Sequence, residues 1–220
     1  MHYEIRFKPA FSSLVLTLRP GERILAEAGA MASRSAALTQ TTQLFGGLVP
    51  ALLKHWFGGE SLFVNQFVNP SQSPQELVLT QSTLGDMQVL HLEGNAICLQ
   101  PGAYIAHTSG VSVDLDWAGF SSWFSGEGLF KLKLSGKGLV FFGAYGGIST
   151  ITVRDEFVVD TGHLVAYEPS ISMKIGLAGG LLGSMKSGEG FINRLSGSGT
   201  IYLQSRSVDG LARFLKPKLR

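Results

Sequence analysis

The chain has 220 residues, enough for one or two ordinary domains or for three small units sharing a core. Apolar side chains make up 45% and charged ones only 15%, below the usual quarter, so much of the surface is expected to be covered by another copy, a partner or lipid. A net charge of +2 with no clustered basic face argues against nucleic-acid binding, and a single cysteine excludes a disulfide framework and a cysteine-rich zinc site.

The N-terminal run Met1-His2-Tyr3-Glu4-Ile5-Arg6-Phe7-Lys8 has no apolar h-region. No later stretch approaches about 18 consecutive apolar residues. Neither a secretory signal nor a transmembrane helix is expected, and the chain reads as cytoplasmic, peripheral to the inner face of the membrane. Residues 14–18 have strand character, and Pro20-Gly21 supplies the turn of an expected hairpin onto Ile24-Leu25-Ala26-Glu27, a Pro-Gly-type hairpin that recurs in the later stretches. An apolar, charge-poor tongue spans 44–57 and includes Leu52, Leu53, Trp56 and Phe57. Glu60 follows in the Gly-flanked run Phe57-Gly58-Gly59-Glu60, and strands are predicted at 61–68 and 76–81.

The next stretch repeats that order. Strand-like residues lie at 87–92, and Ala96-Ile97-Cys98-Leu99 precedes Pro101-Gly102 and Tyr104-Ile105-Ala106-His107. Cys98, in an apolar run, reads as a buried small hydrophobe in a reducing compartment. A second tongue carries Trp117, Phe120, Trp123 and Phe124, Glu127 sits in Gly126-Glu127-Gly128, and 134–140 reads as a hairpin with glycine in its turn. The third stretch runs from Phe157-Val158-Val159 through Thr161-Gly162 to Leu164-Val165-Ala166-Tyr167. Its tongue carries Leu177, Leu181 and Leu182, Glu189 sits in Gly188-Glu189-Gly190, and 195–201 reads as another Gly-turn hairpin. A short helix over 208–215, stopped by Pro217, leads into a basic tail with Arg213, Lys216, Lys218 and Arg220.

Recurrence of the same features in one order, with Ala26, Ala106 and Ala166 in register, predicts an all-β fold. It consists of three similar β-sandwich-like units in an internal pseudo-threefold repeat, over 1–80, 81–149 and 150–220, with little helix apart from the C-terminal one. The tongues hold too much glycine for good helices and are too short to span a bilayer. Two roles fit them: covering the core or a subunit interface, or presenting Leu52, Leu53, Trp56, Phe57, Trp117, Phe120, Trp123, Phe124, Leu177, Leu181 and Leu182 to lipid or a partner protein.

Groupings that carry chemistry are few. Glu60, Glu127 and Glu189 recur in the same Gly-flanked turn, where a carboxylate would accept backbone N–H groups; in an oligomer the three would alternatively form an acidic ring for a cation. None of His2, His55, His91, His107 and His163 stands in a metal-binding pair. Asp114 and Asp116 share one strand face by their spacing. Gly143-Ala144-Tyr145-Gly146-Gly147 lacks the strand–turn–helix setting of a phosphate loop, and no Gly-x-Ser-x-Gly elbow occurs. No catalytic residue, metal or cofactor is assigned.

With Pro20-Gly21-Glu22, Gly29-Ala30-Met31, the Gly-Glu-Gly-Leu-Phe type motifs and Gly143-Ala144-Tyr145-Gly146, the chain resembles, over nearly its whole length, the bacterial relatives of the mitochondrial-biogenesis protein altered inheritance of mitochondria 24. That resemblance implies a fold like the tryptophan-attenuation RNA-binding protein, three β-sandwich units per chain and assembly into a homotrimer. It implies no catalytic residues, and likeness of fold does not transfer RNA binding. The expected function is a non-enzymatic oligomeric scaffold or binding protein working at a membrane surface. The alternative is a small-molecule or metal-binding β-sandwich, a binder or an enzyme, using His107, His163, Asp114 and Asp116.

Overall fold

Short runs of β-branched, aromatic and leucine residues between glycines favour strands over helices, and the computed structural model, which describes residues 1–44, 63–100, 102–117, 130–177 and 191–219, is built from them. In chain order the first stretch gives β1 (His2–Arg6), β2 (Ser13–Leu18), β3 (Arg23–Glu27), β4 (Met31–Arg34), β5 (Thr39–Leu44), β6 (Phe63–Val68) and β7 (Gln75–Thr80). The second gives β8 (Met87–Leu99), β9 (Tyr104–Thr108), β10 (Val111–Trp117) and β11 (Phe130–Gly143). The third gives β12 (Ile148–Val153), β13 (Glu156–Asp160), a 3-10 turn at Thr161–His163, β14 (Leu164–Tyr167), β15 (Ser172–Leu177), β16 (Phe191–Ser196) and β17 (Gly199–Gln204). The expected C-terminal helix, α1, covers Val208–Leu215 and gives way to a 3-10 turn containing Pro217.

These strands form antiparallel sheets. A long sheet runs in the order β12-β17-β14-β8-β11-β9-β3-β6-β5, with β10 also on β11. One smaller sheet is ordered β1-β2-β7-β4 and another β13-β16-β15. Leu14, Leu16 and Leu18 of β2 alternate inward, as a period of two requires, and pack with Ile24, Phe67, Ile105 and Phe141 of the long sheet. At the other end Val159 and Leu195 pack with Leu164, Tyr167 and Ile201. Both are sheet-on-sheet sandwiches. A middle core joins Leu92, Ile97, Leu134, Val140 and Phe142 to Val165, Ala166 and Tyr202. Cys98 is buried, as its apolar neighbours required.

Strand pairing departs from the sequence reading in two places. The strands flanking each Pro-Gly or Thr-Gly turn do not form hairpins. β2 lies in a different sheet from β3, and β13 in a different sheet from β14, while β8 and β9 have β11 between them. The turn therefore carries the chain to another strand position or across the sandwich.

The predicted Gly-turn hairpins at 134–140 and 195–201 are likewise absent. Residues 130–143 form one continuous strand with a register shift between Ser135 and Lys137, and β16 and β17 belong to separate sheets. The glycines permit close approach rather than reversal. Gly136 (φ +123°) brings its Cα so near the Gly110 carbonyl that a Cβ would collide with it, and Lys137 N–H donates to that same oxygen at 3.0 Å. Gly197 (φ +121°) leaves a Cβ only 2.6 Å from the Ser170 carbonyl oxygen.

The second and third stretches pair alike. β10 and the first half of β11 correspond to β15 and β16, while β9 with the second half of β11 corresponds to β14 with β17. In the first stretch, by contrast, the strand before the turn pairs with β7 and the strand after it with β6.

Candidate functional site

The carboxylates Glu60, Glu127 and Glu189 lie outside the described residues, as do Leu52, Leu53, Trp56, Phe57, Phe120, Trp123, Phe124, Leu181 and Leu182. Trp117 and Leu177 are described in backbone only, as the last residues of β10 and β15. The fold does define where each tongue is attached. β5 and β6 pair up to Leu44↔Phe63, β10 and β11 up to Trp117↔Phe130, and β15 and β16 up to Leu177↔Phe191. Each tongue thus connects two antiparallel neighbours at their very ends. In each case the leading strand is an edge: β5 ends the long sheet, β10 pairs only β11, and β15 ends its own sheet. An edge exposes a row of backbone donors and acceptors that invites pairing.

The residues considered for acid–base or metal chemistry hold separate partners. His107 is buried on β9, with Nδ1 2.7 Å from Tyr104 Oη, and that hydroxyl donates to the Leu25 carbonyl at 3.2 Å. With the phenol proton committed, the imidazole donates from Nδ1. His163 Nδ1 lies 2.8 Å from the Gln204 carbonyl oxygen, to which it donates. Asp114 is exposed and stands across from Lys133, and Asp116 stands across from Lys131 in register. Opposite charges at facing register positions of a strand pair favour that pairing. Among the described residues, no three His, Cys, Asp or Glu side chains group as metal ligands.

Burial holds the His107 imidazole down at about 4 and pushes the Tyr104 phenol well up. The pair is therefore neutral near pH 7. Unfolded histidine titrates near ~6.5. Above that pH neither state is protonated; below it the unfolded chain takes up a proton that the native ring refuses, so stability falls as pH drops towards 4. The expected loss from this group between pH 7.5 and 5 is about 2 kcal/mol. Urea unfolding of wild type and His107→Gln at both pH values measures it: the variant should lack that increment, and identical pH dependence in the two proteins would show that the ring is not buried neutral.

Gly143-Ala144-Tyr145-Gly146-Gly147 is a structural junction. Gly143 N–H donates to Ala103 O, Ala144 N–H to Asp86 O, Tyr145 N–H to Gln204 Oε1, Gly146 N–H to Leu84 O and Gly147 N–H to Ser205 Oγ, all between 2.8 and 3.0 Å. Every donor that could cradle a phosphate is occupied. A small cleft of about 130 Å³ opens beside it, lined by Ser82, Thr83, Gln100, Tyr145 and Gln204 among others. Sequence reasoning missed Gln81 and Gln204, which tie the ends of β7 and β17 to this junction: Gln81 Nε2 donates to Ala144 O, and Gln204 Nε2 donates to Gly162 O while its Oε1 accepts from Tyr145. Their one sequence signal was a glutamine just past or at the end of a predicted strand.

Comparison with known proteins places the fold among relatives. Residues 3–206 match the model of the family described as mitochondrial biogenesis AIM24. An uncharacterized protein of Streptococcus pyogenes serotype M6 is 28% identical over 225 residues, covering 98% of this chain and 90% of its own length. The crystal structure of a Streptococcus pyogenes protein is similar with a TM-score of 0.81 at 27% identity, covering 99% of each chain. The family match ends one residue before the Ser207 cap of α1.

Proposed function

We propose that this chain, which belongs to the mitochondrial biogenesis AIM24 family, is a non-enzymatic oligomeric scaffold or binding protein that works peripherally at the inner face of a membrane. Its three stretches, 1–80, 81–149 and 150–220, are three sandwich-like units of a pseudo-threefold repeat, the first with exchanged strand partners. The chain assembles as a homotrimer. Leu52, Leu53, Trp56, Phe57, Trp117, Phe120, Trp123, Phe124, Leu177, Leu181 and Leu182 form the surface offered to lipid or to membrane proteins. Glu60, Glu127 and Glu189 fix the turns through which each tongue returns.

The observation that carries this reading is the attachment of each tongue to the end of an antiparallel strand pair that includes an edge strand. Apolar segments at equivalent places favour a shared docking role over three unrelated loops. Edge strands next to them are apt for pairing between copies. Among the described residues no helix is long and apolar enough to cross a membrane, so association would be at the surface.

Light scattering coupled to gel filtration should give a mass three times that of the 23.6 kDa chain; a monomer would remove the oligomer from the proposal. Flotation with anionic vesicles should carry wild type upward, and the pair Leu181→Ser/Leu182→Ser should reduce it while leaving the mass unchanged. Loss of the trimer with flotation intact would instead make the tongues interface covers.

A further inference from the structure

The C-terminal helix stands off the core instead of packing on it as an ordinary surface helix does. Amphipathic helices of globular proteins lay their apolar stripe on the core. In α1 no residue is buried. Its apolar positions Val208, Leu211, Phe214 and Leu215 all face solvent, with Phe214 61% exposed, and Leu219 beyond it is 78% exposed. Asp209, Arg213 and Lys216 are exposed as well and line the rim of an open cleft of about 400 Å³ shared with Asp160, Thr161 and Phe191, so neither side of the helix is packed on the core. Phe191 is where the chain re-enters β16 after the third tongue.

The helix is well started but weakly supported. Ser207 Oγ accepts from Gly210 N–H at 3.1 Å, Asp209 lies in the first turn and Arg213 in the last, matching the helix dipole. Eight residues with a glycine in the first turn are nevertheless marginal without a packed apolar face. An external surface must supply that packing.

Charge indicates which surface. Residues 207–220 hold four basic side chains, Arg213, Lys216, Lys218 and Arg220, against Asp209 alone. The whole chain has a basic excess of only two, so residues 1–206 are slightly acidic and the positive charge is concentrated in the tail. Lys218 Nζ sits 4.2 Å from the Phe214 ring centroid, a cation at the rim of the apolar face. A symmetric contact with a second copy would bring two such cationic rims together, whereas an anionic bilayer neutralises both.

A second feature lies beside the same junction. Phe7 and Phe11 are 71% and 66% exposed and Leu84 63%. Ser12 N–H donates to Gly85 O, Gly146 N–H to Leu84 O and Arg206 N–H to Tyr145 O, so these loops and the root of the helix meet at residues 143–147.

We infer that α1 is a docking face for an anionic lipid bilayer, with Phe7, Phe11 and Leu84, on loops tied to the same junction, as further exposed apolar side chains. This rests on the membrane reading above and names the element that makes the contact. The apolar side of α1 enters the headgroup boundary, and Lys216 and Lys218, exposed beside it, snorkel to lipid phosphates.

Flotation of the full chain with vesicles of phosphatidylglycerol and phosphatidylcholine tests it. Leu211→Ser/Phe214→Ser should lower the apparent partition coefficient at least tenfold, and Lys216→Gln/Lys218→Gln about fivefold for each charge removed. Pure phosphatidylcholine should bind little wild type. Far-UV circular dichroism and light scattering on each variant verify the fold and mass. If both tail variants float like wild type, the inference is overturned and the tongues alone carry the membrane reading. If wild type itself never floats, both fail; a smaller mass for the Leu211→Ser/Phe214→Ser variant would then assign the face to a second copy.

Discussion

Replacing Gly85 with alanine is expected to destabilise the fold by about 3 kcal/mol or more, at the upper end of overpacking costs. A Cβ there would fall onto the Ala144 carbonyl oxygen and lie 2.6 and 2.7 Å from Gly146 N and O. All three are main-chain atoms, so no rotamer change relieves the collision. They are also held: Ala144 N–H donates to Asp86 O, Asp86 N–H to Gly146 O and Gly146 N–H to Leu84 O. Moving residues 144–146 away would break these hydrogen bonds and those that tie Tyr145 to Gln204 and Arg206 of the third stretch. For a chain of this length the melting temperature should fall by roughly 6–12 °C. Gly176→Ala, where a Cβ meets nothing within 4 Å, is the matched control and should shift it by about 2 °C at most. Thermal melts followed by circular dichroism compare them, and equal melting temperatures would sink the argument.

Strands were legible because their signal is local. Leu14, Leu16 and Leu18 alternate, and alternation alone marks a half-buried strand. Pairing partners were not, because a strand leaving a Pro-Gly turn shows the same alternation whether it folds back on its neighbour or crosses to the facing sheet. Ser135-Gly136-Lys137-Gly138 illustrates the ambiguity. A glycine pair between apolar runs signals a hairpin, yet glycine also serves where another backbone must come close, and Gly110, the group that comes close, is 26 residues away. The glycine cluster at 143–147 was rejected as a phosphate loop on local grounds, and its real partners at 84–86 and 204–205 lie about 60 residues off on either side. The positions of Ala26 and Ala106 were aligned from sequence and prove to be direct partners across β3 and β9.

Of the candidate site, sequence identified the apolar tongues and the basic tail, and the fold added the strand ends that carry the former. The direction in which α1 faces could not be read from 208, 211 and 215, because the same spacing describes a helix packed inward or outward. That all of α1 stays exposed, beside the cleft at Asp160 and Phe191, is a tertiary feature.

Phe142→Ala should destabilise the protein by about 3–5 kcal/mol, the usual range for emptying a buried phenylalanine site. Phe142 is fully buried on β11 and meets the Tyr202 ring of β17 edge-on, with centroids 5.2 Å apart. The contact joins the second stretch to the third within the middle core, where Val165 and Ala166 also pack. A chain of independent sandwiches would lose stability only locally, and calorimetry would show one transition splitting from the rest. Here the long sheet passes through all three stretches from β12 to β5, so a cavity at this contact should lower one common transition and leave its calorimetric and van't Hoff enthalpies equal. The cycle of Phe142→Ala, Tyr202→Ala and the double variant should return a coupling of about 0.5–1.5 kcal/mol for the ring pair. Zero coupling together with a split transition would mean that the stretches behave as separate folding units. A positive coupling within one transition would mean that the three stretches fold as one.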